Sequence, residues 1–503
     1  MASESGNELR AYHERTKHSP VSVRSDPYGL EWDNQPLPFK VYADLEPIAL
    51  PTELPGSQMP ALEAIGATAT EPALAPALDL PGLARLLYFS AGVLRRKTYP
   101  NGEMYFRAAA CTGALYHVDV YVACGDLPDL PAGVYHFSPH DFALRRLRAG
   151  DHRAHLVEAS AGDPAVAAAP VVLLLTSTFW RNAWKYRNRT YRHCYWDAGT
   201  ILANLLAVAA SVHVPARVVL GFVDDVANRL IDVDPAREAT LALVAVGAGG
   251  KASAAPPPLS ALGFATMPLS PREIDFPIVR EAHAASVLRS ADEVRAWRDG
   301  GSVRPAPGDG SGIALTALPA AAVPEPIEAV IVRRGSTRRF PRTPIPVDAL
   351  ATVVDLASRS VPFDVAVTPA LCLIGTAVDG LAPGTYASDP DGRAIRLVRA
   401  GEFRREAGHL GLGQDLPADA AANLYWLADL DDVFGRLGNR GYRAAQLTAA
   451  VAGGRAYLVA YALGLGATGL TFFDDDVAQF FTVDPRRTGV MFLVAVGDRR
   501  RPK

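Results

Sequence analysis

Five short segments of this 503-residue chain occur twice, in the same order. Gly133-Val-Tyr-His-Phe-Ser-Pro139 recurs as Gly384-Thr-Tyr-Ala-Ser-Asp-Pro390, and Arg148-Ala-Gly-Asp-His-Arg153 as Arg399-Ala-Gly-Glu-Phe-Arg404. Asn188-Arg-Thr-Tyr-Arg192 matches Asn439-Arg-Gly-Tyr-Arg443, and Phe222-Val-Asp-Asp-Val-Ala227 matches Phe473-Asp-Asp-Asp-Val-Ala478, all four at an offset of 251 residues. One residue is then lost, and Leu243-Val-Ala-Val-Gly247 returns unchanged as Leu493-Val-Ala-Val-Gly497. Self-similarity of this order means two copies of one domain. Any fold assigned to the chain has to be one that a sequence of about half its length adopts twice.

Within each copy, helical and strand patterns alternate. Leu83 to Ala91 and Val347 to Ser358 read as helices, and Leu115 to Ala123 and Leu371 to Thr376 as strands. Tyr191 to Ala210 and Tyr442 to Ala462 read as long apolar helices, each leading to a Phe/Asp turn, a short helix and a terminal strand with Leu-Val-Ala-Val-Gly. Helices interleaved with a mixed, mainly antiparallel sheet predict an α+β, three-layer α/β/α domain. Long helices apolar on more than one face predict that the two copies pack together as an intramolecular pseudo-dimer. The expected boundaries are an N-terminal extension at 1–78, copy one at 79–247, a Pro/Gly/Ala-rich connector at 248–326 wrapping the surface, and copy two at 327–503. The extension is expected to have no counterpart in the second half.

Charge and composition exclude several classes. With 50 basic and 53 acidic side chains the chain is too balanced for a phosphate-neutralising nucleic-acid binder. The most apolar run, Ile201 to Val223, is broken by Asn204, Ser211, His213, Pro215 and Arg217, so no membrane span is expected. The N-terminus lacks an apolar signal region, and four scattered cysteines without a Cys-x-x-Cys pair suit a reducing compartment; no metal site and a cytoplasmic location are expected.

One run stands out chemically. Val332-Arg-Arg-Gly-Ser-Thr-Arg-Arg-Phe340 sets Arg334, Ser336 and Arg338 in alternation ahead of a helix-forming stretch. Guanidinium forks and a hydroxyl near a helix N-terminus make an anion cradle; the alternative is a solvated basic turn.

The Arg-x-Ser-x-Arg-x-Phe run is similar to the flavin-phosphate motif of FMN-dependent nitroreductases. Gly464-Leu-Gly-Ala-Thr-Gly469 resembles the loop that those proteins place beside the reactive edge of the isoalloxazine, which makes Gly466, Ala467, Thr468 and Gly469 candidate cofactor contacts. Arg107-Ala-Ala-Ala-Cys-Thr-Gly-Ala-Leu-Tyr116 looks like an element of the SagB-type branch, the azoline dehydrogenases of ribosomal peptide biosynthesis, and adds Cys111, Thr112, Gly113 and Ala114. Trp184 to Arg192, followed by Asp197-Ala-Gly199, resembles that branch too, and Thr16 to Arg24 with Asp33-Asn-Gln-Pro36 and Phe39-Lys-Val-Tyr42 looks like the leader of its tandem members. The chain departs from the family where Ala110-Cys111-Thr112 replaces Pro-Ser-Ala and Tyr116-His117-Val118-Asp119 replaces Tyr-Pro-Val-Glu. The alternative for Cys111 is a buried small residue.

The copies have lost different parts. Copy two has the Arg334/Ser336/Arg338 cradle and the glycine loop; copy one has the Cys-Thr-Gly-Ala element, while its glycine loop maps to His213-Val-Pro-Ala-Arg-Val218. In homodimeric nitroreductases each flavin is cradled by both subunits, so the resemblance implies one complete FMN site per chain. Lys185 and Tyr186 match the pair to which the azoline dehydrogenases assign proton handling, whereas copy two has Arg436 and Leu437. A lysine ammonium beside a phenol would lower the phenol's pKa and poise it as a base; the alternative is that the Lys/Arg residues from Arg181 to Arg192 form an exposed basic helix start, with Asp197 neutralising them. The expected function is an FMN-dependent dehydrogenase of a peptide or azoline-like substrate with oxygen as acceptor, acting with other biosynthetic enzymes. The alternatives are an NAD(P)H-dependent nitro or quinone reductase and a degenerate flavin-fold docking protein.

Overall fold

The structure, a computed structural model, describes residues 7–25, 29–54, 56–67, 76–99, 102–305 and 312–499. Residues 1–6, 26–28, 55 and 68–75 of the expected extension, 100–101 of copy one, 306–311 of the expected connector and 500–503 lie outside the described residues.

Two seven-stranded sheets have the same order. The first runs Pro47–Ala49, Ala143–Ala149, Gly133–Ser138, Val118–Cys124, Val171–Thr178, Glu238–Val246, Ala216–Val219. The second runs Ile313–Ala314, Ala394–Ala400, Gly384–Ser388, Ala370–Gly375, Ala422–Asp429, Thr488–Gly497, Gly466–Gly469. Neighbours in both pair antiparallel, so the large sheets are antiparallel rather than mixed. Their central strands are short continuous apolar runs, Val171–Thr178 buried throughout, as a strand covered on both faces requires. The strand expected from Leu115 starts at Val118, because Ala114 and Tyr116 adopt positive φ (55° and 50°) and hold the preceding segment in a turn.

The two long helices form the contact between copies. Every residue of helix Thr190–Ser211 is buried, as expected of a helix apolar on more than one face. It crosses helix Leu430–Ala462 where side chains are smallest: a methyl built on Gly199 would lie 2.4 Å from the Cβ of Ala450, and one on Gly454 2.6 Å from the Cβ of Ala203. Gly199 is the repeat equivalent of Ala450, and Ala203 of Gly454, so the crossing sits on a pseudo-two-fold axis. A Gly199→Leu protein is expected to lose about 3 kcal/mol through overpacking; an unchanged thermal midpoint would show that the helices are not held this close.

Buried ion pairs lock the same interface from both sides. Asp474 accepts from Arg192 at 2.6 Å and Arg189 at 2.9 Å, and Asp224 pairs with Arg440 and, at 2.7 Å, with Arg443. Each carboxylate reaches into the other copy. The expectation of an exposed basic helix start is therefore wrong for Arg181, Arg189 and Arg192, all buried. Asp224 and Asp474 each begin a helix, so the Phe/Asp motifs align one residue away from the sequence match, the deletion falling before Phe473.

The repeat also reaches beyond the segments matched by sequence. Arg192 donates to the carbonyl of His13 and Arg443 to that of His283, which makes helix Asn7–Arg15 the counterpart of helix Pro277–Ala285. Pro47–Ala49 and Ile313–Ala314 flank equivalent strands. The extension thus does have counterparts, and they lie in the stretch read as connector. No described helix is long and apolar enough to cross a membrane.

Candidate functional site

Copy one supplies a tight turn and a short helix. Cys111 precedes the turn Thr112–Ala114, in which Gly113 takes φ 62°. A side chain at Gly113 would also meet Tyr186, whose hydroxyl lies 2.9 Å from the position of a Cβ, and the Cδ of Lys185 at 3.4 Å. Glycine is needed there on both counts. Lys185 and Tyr186 end helix Phe179–Tyr186, which breaks at Arg187 (φ 47°, ψ −126°) before the long helix begins. In copy two the equivalent break is at Gly438 (φ 55°, ψ −156°). An arginine in a conformation that copy two gives to glycine is strained by about 1–2 kcal/mol, and that strain is stored directly beside the Lys-Tyr pair.

Asp197 holds the turn from below. It accepts from the Thr112 N–H at 2.9 Å, the Thr112 hydroxyl at 2.6 Å and the Cys111 thiol at 2.9 Å, and His117 Nε2 lies 2.8 Å away. Its role is thus not to neutralise the basic cluster. Burial and Asp197 together push the Cys111 thiol well above its usual range, so the sulfur is a neutral hydrogen-bond donor.

Copy two supplies the opposite side. Arg334, Ser336 and Arg338 follow helix Ile327–Arg333, and the next helix starts at Val347, so the helix N-terminus expected beside the cradle is not supplied by its chain neighbours. The run packs instead on the edge strand Gly466–Gly469. Thr337 N–H donates to Ala467 O at 2.9 Å, and a Cβ on Gly466 would lie 2.3 Å from the Thr337 hydroxyl oxygen, so a side chain there would push Thr337 aside. Ala467 and Thr468 are buried in the sheet. Tyr457 and Tyr461, one turn apart on the long helix, were not singled out by sequence: Tyr457 accepts from Gly469 N–H and lies 3.5 Å from Ser336 Oγ, and Tyr461 lies 3.2 Å from Thr337 Oγ1. Arg499 stacks over Tyr461.

The two sides meet. Arg334 donates to the carbonyls of Ala108 at 3.0 Å and Arg107 at 3.1 Å, fastening the copy-two run to the strand that leads into the copy-one turn. Arg338 is exposed, and its charge acts on both Lys185 and Tyr186. Burial first, and then Arg338, lower the pKa of Lys185. Tyr186 goes the other way: burial, Asp197 and Cys111 raise it strongly, and Arg338 offsets little of that. The expectation that lysine poises the phenol as a base is reversed: Lys185 sits over the ring, 5.4 Å from its centroid, and burial with Asp197 and Cys111 dominates at the hydroxyl. Tyr186 keeps its proton, and Lys185 is the group that gives one up more easily than usual.

The pseudo-symmetric position is filled by the chain itself. Trp297 Nε1 donates to Leu437 O at 3.1 Å, and Gly300 packs against the carbonyl of Arg436. Arg298 bonds Asp364 at 3.1 Å and Gly221 O at 3.0 Å, while Val218 N–H donates to Pro362 O. Helix Ala291–Asp299 and residues 362–364 thus stand where copy one has its open turn.

Comparison with known proteins agrees with this architecture. Residues 331–498 match the model of the Nitroreductase family. An assigned nitroreductase of Methanocaldococcus jannaschii is 25% identical over 170 residues, covering 34% of this chain and 81% of that protein. The crystal structure of an assigned nitroreductase from Anabaena variabilis superposes with a TM-score of 0.78 at 26% identity, covering 99% of this chain and 100% of that one.

Proposed function

From a nitroreductase-family domain at residues 331–498, we propose that the protein is an FMN-dependent oxidoreductase, a dehydrogenase of the SagB type that oxidises a peptide or azoline-like substrate. The observation that carries this reading is the packing of Lys185 and Tyr186 on Gly113 in copy one, in a turn whose leading strand is fastened to the Arg334–Arg338 run of copy two by Arg334. The donor set suits FMN: Arg334, Ser336 and Arg338 lie in one run alongside the Gly466–Gly469 strand, and the exposed guanidinium of Arg338 is free of a carboxylate partner among the described residues, as a phosphate ligand would be. Ser336 and Arg338 would hold the phosphate, with Arg334 fixing the run to copy one; Gly466 to Gly469 and the Cys111–Ala114 turn would flank the ring system.

When bound, FMN supplies a two-electron hydride acceptor, with oxygen as the final acceptor. Oxidation also strips a proton from the atom adjacent to the hydride-bearing carbon. Lys185 Nζ, with its lowered pKa, takes that proton, and the Tyr186 hydroxyl, kept protonated by its surroundings, donates a hydrogen bond that orients the substrate. Four free cysteines, two of them fully buried, suit work in the cytoplasm beside other biosynthetic enzymes.

An Arg338→Ala protein is expected to bind FMN more weakly by about 1.5–3 kcal/mol, read by flavin fluorescence titration. Arg217→Ala, at the equivalent edge strand of copy one, is expected to bind normally. Unchanged affinity in Arg338→Ala would move the phosphate elsewhere.

A further inference from the structure

Copy one carries an insertion that copy two lacks. Strands Val93–Tyr99 and Gly102–Arg107 form a two-stranded sheet separate from the seven-stranded ones, whereas in copy two only residues 359–369 connect the equivalent helix and strand. Register sorts its side chains into two faces. Tyr105 turns inward against Phe39, with ring centroids 4.8 Å apart, and its hydroxyl bonds Glu103, which also pairs with Arg96. The opposite face carries Arg95 opposite Phe106, Lys97 opposite Met104, and Tyr99. Arg95 lies over the Phe106 ring at 4.4 Å, and Tyr99 and Met104 are 49% and 46% exposed.

Among the described residues neither outer edge of this hairpin pairs with another strand. Cations on an edge strand can simply discourage unwanted pairing, but here the hairpin's second strand ends at Arg107. That residue leads straight into the Cys111–Ala114 turn and is itself gripped by Arg334 through its carbonyl. Beyond it, Arg338 and Lys185 continue the positive charge to the candidate site, and Glu103 is the single carboxylate of the hairpin.

We infer that the Val93–Tyr99 edge docks an extended acidic segment of the peptide substrate as a third strand, delivering the rest of that peptide to Lys185 and Tyr186. This rests on the peptide-dehydrogenase reading above. Main-chain hydrogen bonds along the free edge supply the affinity. Arg95 and Lys97, two residues apart on one face, select carboxylates at alternate positions of the added strand.

The test uses full-length, FMN-loaded protein and three fluorescein-labelled dodecapeptides: alternating Glu and Val, the same with Lys for Glu, and the Glu-Val peptide N-methylated at every second amide. Anisotropy is expected to show binding of the Glu-Val peptide at least tenfold tighter than of either control. Arg95→Glu/Lys97→Glu, altering exposed side chains away from the FMN cradle, should weaken Glu-Val binding about tenfold and leave FMN content unchanged. Equal affinity of this double variant and the unaltered protein would overturn the inference, as would equal binding of the N-methylated peptide. The assay needs no turnover, so a failure of the dehydrogenase reading, seen as absent substrate-driven reduction, is scored separately from a failure of docking.

Discussion

Replacing Lys185 with methionine is expected to slow substrate-driven reduction of the bound cofactor by about 100-fold, the usual share of general acid–base catalysis. Reduction by dithionite should be unaffected, since it requires no protein base. The sign of the pH dependence follows from the lowered pKa of Lys185: the competent form is the neutral amine, so the rate rises with pH, with its midpoint below the ordinary lysine value of about 10.4. Tyr186→Phe should keep that rising limb, because Tyr186 is raised and holds its proton across it; Lys185→Met should abolish it. Anaerobic stopped-flow with a thiazoline-containing peptide reads both effects. Rapid oxidation of NADPH by the Lys185→Met protein, with no reaction of the peptide, would favour the reductase alternative.

The second large effect is on stability. Asp474→Ala leaves Arg189 and Arg192 buried without their carboxylate, at an expected cost of about 3–5 kcal/mol. Asp431→Ala, which removes the half-exposed partner of Arg10, should cost less than about 1 kcal/mol. Burial raises the Asp474 pKa, but Arg189 and Arg192 outweigh it and hold the group below the normal carboxylate range. Its contribution is therefore complete above pH ~4 and is lost as pH falls through the lowered folded value. The difference between Asp474→Ala and the unaltered protein should shrink below pH 4. A difference that stayed constant down to pH 2, or none at pH 7, would show that the pair does not hold the copies together.

Duplication, the long apolar helices and the packing of copy on copy were legible in the sequence, because repeat spacing and periodicity are local properties of the chain. That Gly113, Lys185, Tyr186 and the Arg334–Arg338 run serve one site is an expectation that only the family resemblance raises. What sequence could not give depends on contacts between distant residues. Sequence groups Asp197 with its basic neighbours, but its hydrogen-bond partners are Cys111, Thr112 and His117. The Lys185 and Tyr186 shifts are set by burial and by Arg338, and burial cannot be read from a Lys-Tyr dipeptide. Helices Asn7–Arg15 and Pro277–Ala285 leave no repeat signal in the sequence because their offset differs from 251 and they share little beyond an arginine, a histidine and a Ser/Thr.

The central claim is that the two copies together build a single composite site, with the second position closed by Trp297, Arg298 and residues 362–364. Released flavin, quantified against chain concentration after saturation with FMN and removal of the excess, tests it directly. One FMN per chain is predicted, noncovalently held; two per chain would contradict the closure of the second position, and none would contradict the site itself.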